Sequence, residues 1–349
     1  MSHIGIVEGF FGPSWPQKAR LSFAPFLSQY GGDFYIYAPK RDALLRKSWR
    51  ENWNRDYLDS IHEMKEHFQS YGIKFGLALS PFGLGTEISD EDWHFLKEKF
   101  KQLSELKIDY LGLFFDDMPS TNKLLEVQKS VVNLAMEYFP SGLIFCPSYY
   151  SFDPILDKVF GPRPLHYVEG LSDAIPAGVD ICWTGPRVIS DEITSAHLAE
   201  VKSLIGRKPL IWENLYANDG PKNCKFLKLR KFTGREKNFM DDTSGISFNL
   251  MNQPYLSQLL YLSSLLVLRE RMDPDNAFEQ SCKKLCSETL VKLLGESRSL
   301  FLDMGLDKIE ENRKISLISS FSHEGSPMAM EVVAWLRGEY TVGAECLTD

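Results

Sequence analysis

Two adjacent aspartates, Asp116 and Asp117, end the apolar run YLGLFF at 110–115. The run reads as a short buried strand, and Met118-Pro119 stops it. A core strand ending in two carboxylates sets two costly groups at the edge of a hydrophobic layer, since one buried, unpaired carboxylate costs several kcal/mol. Neighbouring carboxylates push their pKa values apart, so one can keep a proton while the other stays ionised, which suits general acid and base chemistry. The competing reading of the pair alone is a solvated loop or a cap for the next helix.

The pair does not stand alone, because other apolar segments end in polar and aromatic residues too. These ends carry Glu8 and Gly9, Lys40, Ser80, Cys146 with Tyr149 and Tyr150, Trp183 with Thr184, Trp212 with Glu213 and Asn214, then Asn218 with Asp219, and finally Asn249 with Asn252. Aromatic faces stack on the apolar faces of sugars, and Asp, Asn and Lys form directional bonds to hydroxyls. No His cluster offers a metal site and no Ser-His-Asp order is present, so no cofactor is expected. A carbohydrate pocket with a carboxylate acid is the best reading of these residues. Each has a plainer role open to it: Trp183 and Trp212 as core aromatics, Lys40 as a surface lysine, Glu8 as a fold residue, Asn218-Asp219-Gly220 as a turn. Tyr149 and Tyr150 cannot both face inward on a regular strand.

The elements that must position these residues follow from the hydrophobic pattern. Eight strand-like segments, 4–11, 33–39, 74–81, 110–117, 143–150, 179–185, 209–215 and 245–251, start roughly 30 to 40 residues apart. Helical periodicity fills 57–71, 91–106, 124–138, 192–205 and 255–268. Eight such units predict an α/β fold, a (β/α)8 TIM barrel over residues 1–272, whose chemistry lies at the C-terminal ends of the strands. The alternative is a doubly wound open sheet; the count of eight and the lack of a glycine-rich nucleotide fingerprint favour the barrel. From 273 to 349 only helical periodicity remains, in 278–304, 309–321 and 328–340, which reads as a small α-helical C-terminal domain joined by a linker at Asp273-Pro274-Asp275.

Composition bounds the rest. The chain has 349 residues, 44% hydrophobic and 25% charged, an ordinary globular balance. A net charge of −8 argues against a nucleic-acid partner. The basic stretch 222–237 runs against that trend and reads as a solvated loop. No apolar stretch is long enough for a membrane span, so no membrane partner is expected. The N-terminus enters a strand-like segment without a charged and apolar leader. Six scattered cysteines suggest reduced thiols. The expected location is cytoplasmic, or exported without a classical signal peptide.

The segments that carry the polar residues also resemble glycoside hydrolase family 84, which holds protein O-GlcNAcases and bacterial β-N-acetylglucosaminidases, some described as hyaluronidases. The matching text is GIVEGFFGPSW at 5–15, YIYAPK at 35–40, FDD at 115–117, FCPSYY at 145–150, WTGP at 183–186 and WENLYAND at 212–219. The resemblance covers roughly the first 255 residues and implies a (β/α)8 barrel and retaining, substrate-assisted hydrolysis. In that scheme the substrate's 2-acetamido oxygen attacks the anomeric carbon and forms an oxazoline. The resemblance makes Asp116 the residue that orients the acetamido N–H and Asp117 the general acid, then base. It makes Tyr150 a donor to the acetamido oxygen, and Cys146 and Trp212 the walls of the acetamido pocket. Asn214 positions the reacting groups, Asp219 binds the 4- and 6-hydroxyls, and Lys40 and the Gly9 backbone contact ring hydroxyls. Asn249, with Asn252 as the alternative, is the asparagine after strand eight.

Phe11 and Glu213 depart from the family pattern, where Tyr and Asp are common. The chain also lacks the extra N-terminal domain of many bacterial members and the middle insertion of animal members. It therefore reads as a minimal enzyme, with a homodimer left open. The resemblance implies an exo-β-N-acetylglucosaminidase that removes O-GlcNAc from Ser or Thr of proteins. The alternatives are a hexosaminidase acting on free glycans or cell-wall fragments, and a catalytically silent GlcNAc-binding barrel.

Overall fold

The computed structural model describes residues 3–348; Met1 and Ser2, with which the reading of the N-terminus begins, and Asp349 lie outside them. Eight parallel strands close into a barrel in sequence order: β1 (His3–Glu8), β2 (Phe34–Tyr37), β3 (Lys74–Leu79), β4 (Tyr110–Phe114), β5 (Leu143–Cys146), β6 (Asp180–Trp183), β7 (Leu210–Glu213) and β8 (Gly245–Phe248). β1 pairs with both β2 and β8, which closes the ring and leaves no free edge among them. The strands are buried almost throughout, as expected when side chains fill the barrel and helices cover it.

The strands stop short of the apolar runs that announced them. β4 ends at Phe114 although the run continues through Phe115, and β5 ends at Cys146 although aromatic residues continue to Tyr150. The remainder is buried loop at the barrel mouth, where burial demands apolar residues without demanding a ladder.

The outer ring is formed by α1 (Gln17–Tyr30), α2 (Arg55–Ser70), α3 (Asp90–Glu105), α4 (Leu124–Tyr138), α5 (Pro154–Phe160), α6 (Tyr167–Ala174), α7 (Ser195–Ile205) and α8 (Pro254–Glu270). Local chemistry sets several of the starts. Asn54 caps α2 by accepting from Tyr57 N at 2.9 Å. Ser89 caps α3, whose first turn holds Asp90, Glu91 and Asp92 against the positive end of the helix dipole.

Four more helices follow: α9 (Pro274–Leu285), α10 (Glu288–Ser299), α11 (Glu311–Glu324) and α12 (Pro327–Leu336). The stretch Asp273-Pro274-Asp275 is not a linker. Asp273 accepts from the backbone N–H groups of Asp275 and Asn276, and Pro274 opens α9, so the three residues are a helix start. The long helical pattern at 278–304 breaks at Ser287, whose hydroxyl caps α10.

These helices are tied to the barrel by a buried carboxylate. Glu331 of α12 accepts from the first N–H groups of α8, Tyr255 N at 2.9 Å and Leu256 N at 2.8 Å. Burial pushes its carboxyl up to about 8, against those two hydrogen bonds. In the unfolded chain the group returns to its ordinary value of 4.5. The folded state therefore binds the proton more tightly, so Glu331's contribution to stability is complete below 4.5 and is lost as pH climbs to about 8. Glu331→Gln removes this titration, and urea unfolding at pH 5 and pH 8.5 should show a smaller stability difference than the parent chain. An equal difference in both proteins would assign the trend to other groups.

Candidate active site

The two aspartates lie in the turn after β4, and backbone geometry lets both serve one cavity. Successive side chains on a strand point to opposite faces. Asp117 breaks that alternation with a φ of 57°, in the left-handed region that non-glycine residues seldom enter and that Asp tolerates better than most. Strained backbone of this kind persists where the surroundings enforce it, typically at functional sites. Asp116 and Asp117 thus line one cavity with Gly9, Lys40, Cys146, Tyr150, Trp212, Asn214, Asp219 and Asn249. All ten residues singled out in the sequence meet there. Asn252, the alternative to Asn249, does not line it; its Nδ2 donates to Phe11 O at 2.8 Å and its backbone N–H to Asn218 Oδ1 at 2.9 Å, so it fastens loops together.

The two carboxylates sit in unlike environments. Asp116 is 6% exposed and its Oδ2 is ion-paired with the Lys40 ammonium, itself buried. Lys40 is therefore not the surface lysine it could have been. The other oxygen, Asp116 Oδ1, is buried and accepts no hydrogen bond from the protein. Asp117 keeps part of its surface open to the cavity and accepts from Tyr150 Oη at 3.0 Å. Burial first, and the Asp116 charge second, raise the Asp117 carboxyl above the usual range, against Lys40, Arg46 and the Tyr150 hydroxyl. Burial likewise lifts the Tyr150 phenol well above its ordinary value, which keeps it a neutral donor. The same cause raises the Cys146 thiol, so that side chain is an apolar wall rather than a nucleophile.

The remaining walls are built from short loops. The Trp212 ring crosses the backbone of Gly9 so closely that a Cβ there would lie 2.4 Å from Cζ2, which only glycine permits. Phe114 meets the Trp212 ring edge-on at 5.0 Å. Asn214 donates to Val188 O at 2.8 Å and accepts from Asn249 Nδ2 at 2.9 Å, which fixes both amides. Asp219 accepts from Phe11 N at 2.8 Å, and burial lifts its carboxyl to about 6.

Several neighbours turn out to be structural. Glu8 accepts both guanidinium contacts of Arg20, at 2.6 and 2.7 Å, and a bond from Tyr35 Oη. Tyr149 donates to Gly161 O at 2.5 Å, away from Tyr150's partner. Glu213 forms a two-pronged ion pair with Arg235, at 2.7 and 2.9 Å, with both side chains 1% exposed. The basic stretch 222–237 is therefore not simply a solvated loop: Arg235, Leu227, Leu229 and Phe232 pack it onto the barrel, since buried apolar residues are interspersed with the charges.

Sequence reasoning missed several contributors. Arg46 donates to Asp117 O at 3.2 Å and lies over the rings of Phe11 and Phe82. A lone arginine in the loop after β2 carries no signal of such a role. Asn223, Cys346 and Thr348 also line the cavity, the last two from beyond α12. Among the described residues no group of three or more His, Cys, Asp or Glu could hold a metal, and no helix is long and apolar enough to cross a membrane.

The chain is similar to known proteins. Residues 4–295 match the model of a family described as beta-N-acetylglucosaminidase. The protein O-GlcNAcases of Rattus norvegicus and Mus musculus are each 30% identical over 257 residues, which is 70% of this chain and 27% of theirs. The chain thus spans about a quarter of the length of those relatives. A solved structure of a Thermobaculum terrenum O-GlcNAc hydrolase mutant superposes with a TM-score of 0.78 at 27% identity, over 97% of this chain and 81% of that one. A closed barrel with two unlike aspartates at its mouth, and a family match across the whole of it, make this chain a member of the β-N-acetylglucosaminidase family of glycoside hydrolases, glycoside hydrolase family 84.

Proposed function

We propose that the chain is a retaining exo-β-N-acetylglucosaminidase working by substrate-assisted catalysis, and that it removes O-GlcNAc from Ser or Thr of proteins. The observation that carries the reading is the split between the two carboxylates. Asp116 pairs with the Lys40 ammonium and keeps one buried oxygen without a protein donor. A buried acceptor of that kind calls for a partner, and the N–H of a 2-acetamido group is a fitting one. Burial, and then the charge of its neighbour, raise the Asp117 carboxyl above its usual range, which suits a proton donor.

In the first step Asp116 accepts the acetamido N–H and aligns the carbonyl oxygen behind the anomeric carbon. That oxygen forms the new C–O bond as the glycosidic C–O bond breaks, and Asp117 gives its proton to the departing oxygen. In the second step Asp117, now ionised, takes a proton from water as the water opens the oxazoline. The Tyr150 hydroxyl, which donates to Asp117 Oδ1 at 3.0 Å, lines the same cavity and donates to the acetamido oxygen. Cys146 and Trp212 enclose the acetamido methyl, Asn214 and Asn249 form a fixed amide pair beside it, and Asp219 with Lys40 takes ring hydroxyls.

Hydrolysis of an aryl β-N-acetylglucosaminide tests the activity. Replacing the N-acetyl by N-trifluoroacetyl tests the nucleophile. The weaker carbonyl should slow turnover by about tenfold or more, since the nucleophile is the substrate's own oxygen. A rate indifferent to fluorination would count against neighbouring-group attack. Protein substrates are favoured by the relatives named O-GlcNAcase and O-GlcNAc hydrolase. Sugar release from a glycosylated protein, compared with release from chitobiose, separates this from action on free glycans. Turnover of neither, with binding of GlcNAc retained, would make the chain a silent sugar-binding barrel.

A further inference from the structure

Cys346 and Thr348 line the same cavity as the two aspartates, although they follow the last helix. The segment that brings them there is seated on the barrel. Val342 is 3% exposed and packs with Phe11 and Cys224. Gly12, with a φ of 95°, runs so close beneath it that a Cβ there would lie 2.9 Å from Val342 Cγ2. Glu345 pairs with Arg41 at 3.6 Å on the outer side. Upstream, Trp335 Nε1 donates to Cys224 O at 3.0 Å and fixes the point from which the segment leaves α12.

All these partners belong to the loops that follow β1, β2 and β7. Asp117, Tyr150 and Thr184 come from the loops after β4, β5 and β6, on the other half of the ring. The cavity between is small, about 50 Å3, room for a few water-sized spheres. Cys346 and Thr348 line this cavity together with Asp117, so a sugar held in it meets them.

We propose that residues 342–348 close the side of the pocket opposite the acid and so restrict the enzyme to a terminal sugar. Asp117 must face the bond that is cut, so the leaving group extends on its side of the mouth. A chain continuing from the far side of the ring would have to pass through the segment. Cys346 and Thr348 are then specificity-determining residues for single-sided substrates. This inference rests on the acid role assigned to Asp117 above.

The test compares the full chain, a variant ending at Tyr340, and full-length Val342→Asp, which unseats the segment without shortening the chain. Each is given an aryl β-N-acetylglucosaminide and the aryl glycoside of chitobiose, and products are separated by chromatography. The full chain should free aryl alcohol from the disaccharide only after a lag, with no intact chitobiose. In both variants intact chitobiose should appear, its rate relative to the monosaccharide substrate rising by about tenfold or more. An unchanged ratio overturns the proposal. So does loss of both activities in variants whose Tm is unaltered, because the segment would then support the site without selecting. Intact chitobiose from the full chain overturns it while leaving the activity standing. A full chain inactive on the monosaccharide overturns the activity, and this inference with it.

Discussion

Asp117→Asn should lower kcat/KM on a substrate with a poor leaving group, such as an alkyl β-N-acetylglucosaminide, by about 10²- to 10⁴-fold, the usual worth of a positioned acid. On an aryl substrate with a good leaving group the first step needs little proton donation, and the loss should be smaller and lie mainly in the second step, where the base is missing. The substitution keeps the size of the side chain and its acceptor oxygen for Tyr150 Oη, so Tm should change little. The pH profile supplies a second reading. Burial and the Asp116 charge raise the Asp117 carboxyl, so the protonated acid survives to higher pH than an ordinary aspartate. The alkaline limb of kcat/KM should report its deprotonation and should flatten in Asp117→Asn. A leaving-group dependence identical in the two proteins would remove Asp117 from the role of acid and base.

Asp116→Asn should produce the complementary pattern. The amide cannot stabilise positive charge developing on the acetamido group, and losing such an electrostatic contact costs about 10²- to 10³-fold in kcat. The loss should be similar for good and poor leaving groups, because every substrate must form the oxazoline. A second effect follows from the pairing of the two residues. The Asp116 charge is one of the two causes that lift Asp117, so neutralising it should move the alkaline limb to lower pH. Removing the carboxylate also strands the buried Lys40 ammonium, and a broken buried pair costs about 3–5 kcal/mol. Activity must therefore be measured well below the variant's Tm. Unaltered kcat, or a limb that moves to higher pH, would contradict the assignment.

Much of the fold was legible because barrel strands are short, apolar and evenly spaced. Periodicity located all eight, and their order gave the end at which polar residues gather. The expected segments overshot the strands by three residues in β4 and four in β5, because mouth loops such as Phe115 and Tyr149-Tyr150 are as buried as the ladder itself. The stretch Asp273-Pro274-Asp275 was misread since capping and linker residues are the same types. Arg235 was misread because a charge count does not distinguish a solvated guanidinium from one locked against Glu213.

By itself the amino-acid sequence determined the residue types at the strand ends, and from them the class of chemistry. A period of β/α units dictates where strand ends lie, and the motifs dictate what stands on them. Only the tertiary structure decided which of the two aspartates lies beside a cation. Lys40 is 76 positions away from Asp116, and their pairing is a product of barrel closure. It also decided that Asp117 turns into the same cavity, through a positive φ that no propensity scale assigns to it. Finally, it decided that residues far beyond the barrel reach its mouth, since Val342 lies more than 300 positions from Phe11 and their contact leaves no local pattern. Local sequence encodes periodicity and turns; ionisation and pocket shape depend on long-range neighbours, which only the folded chain brings together.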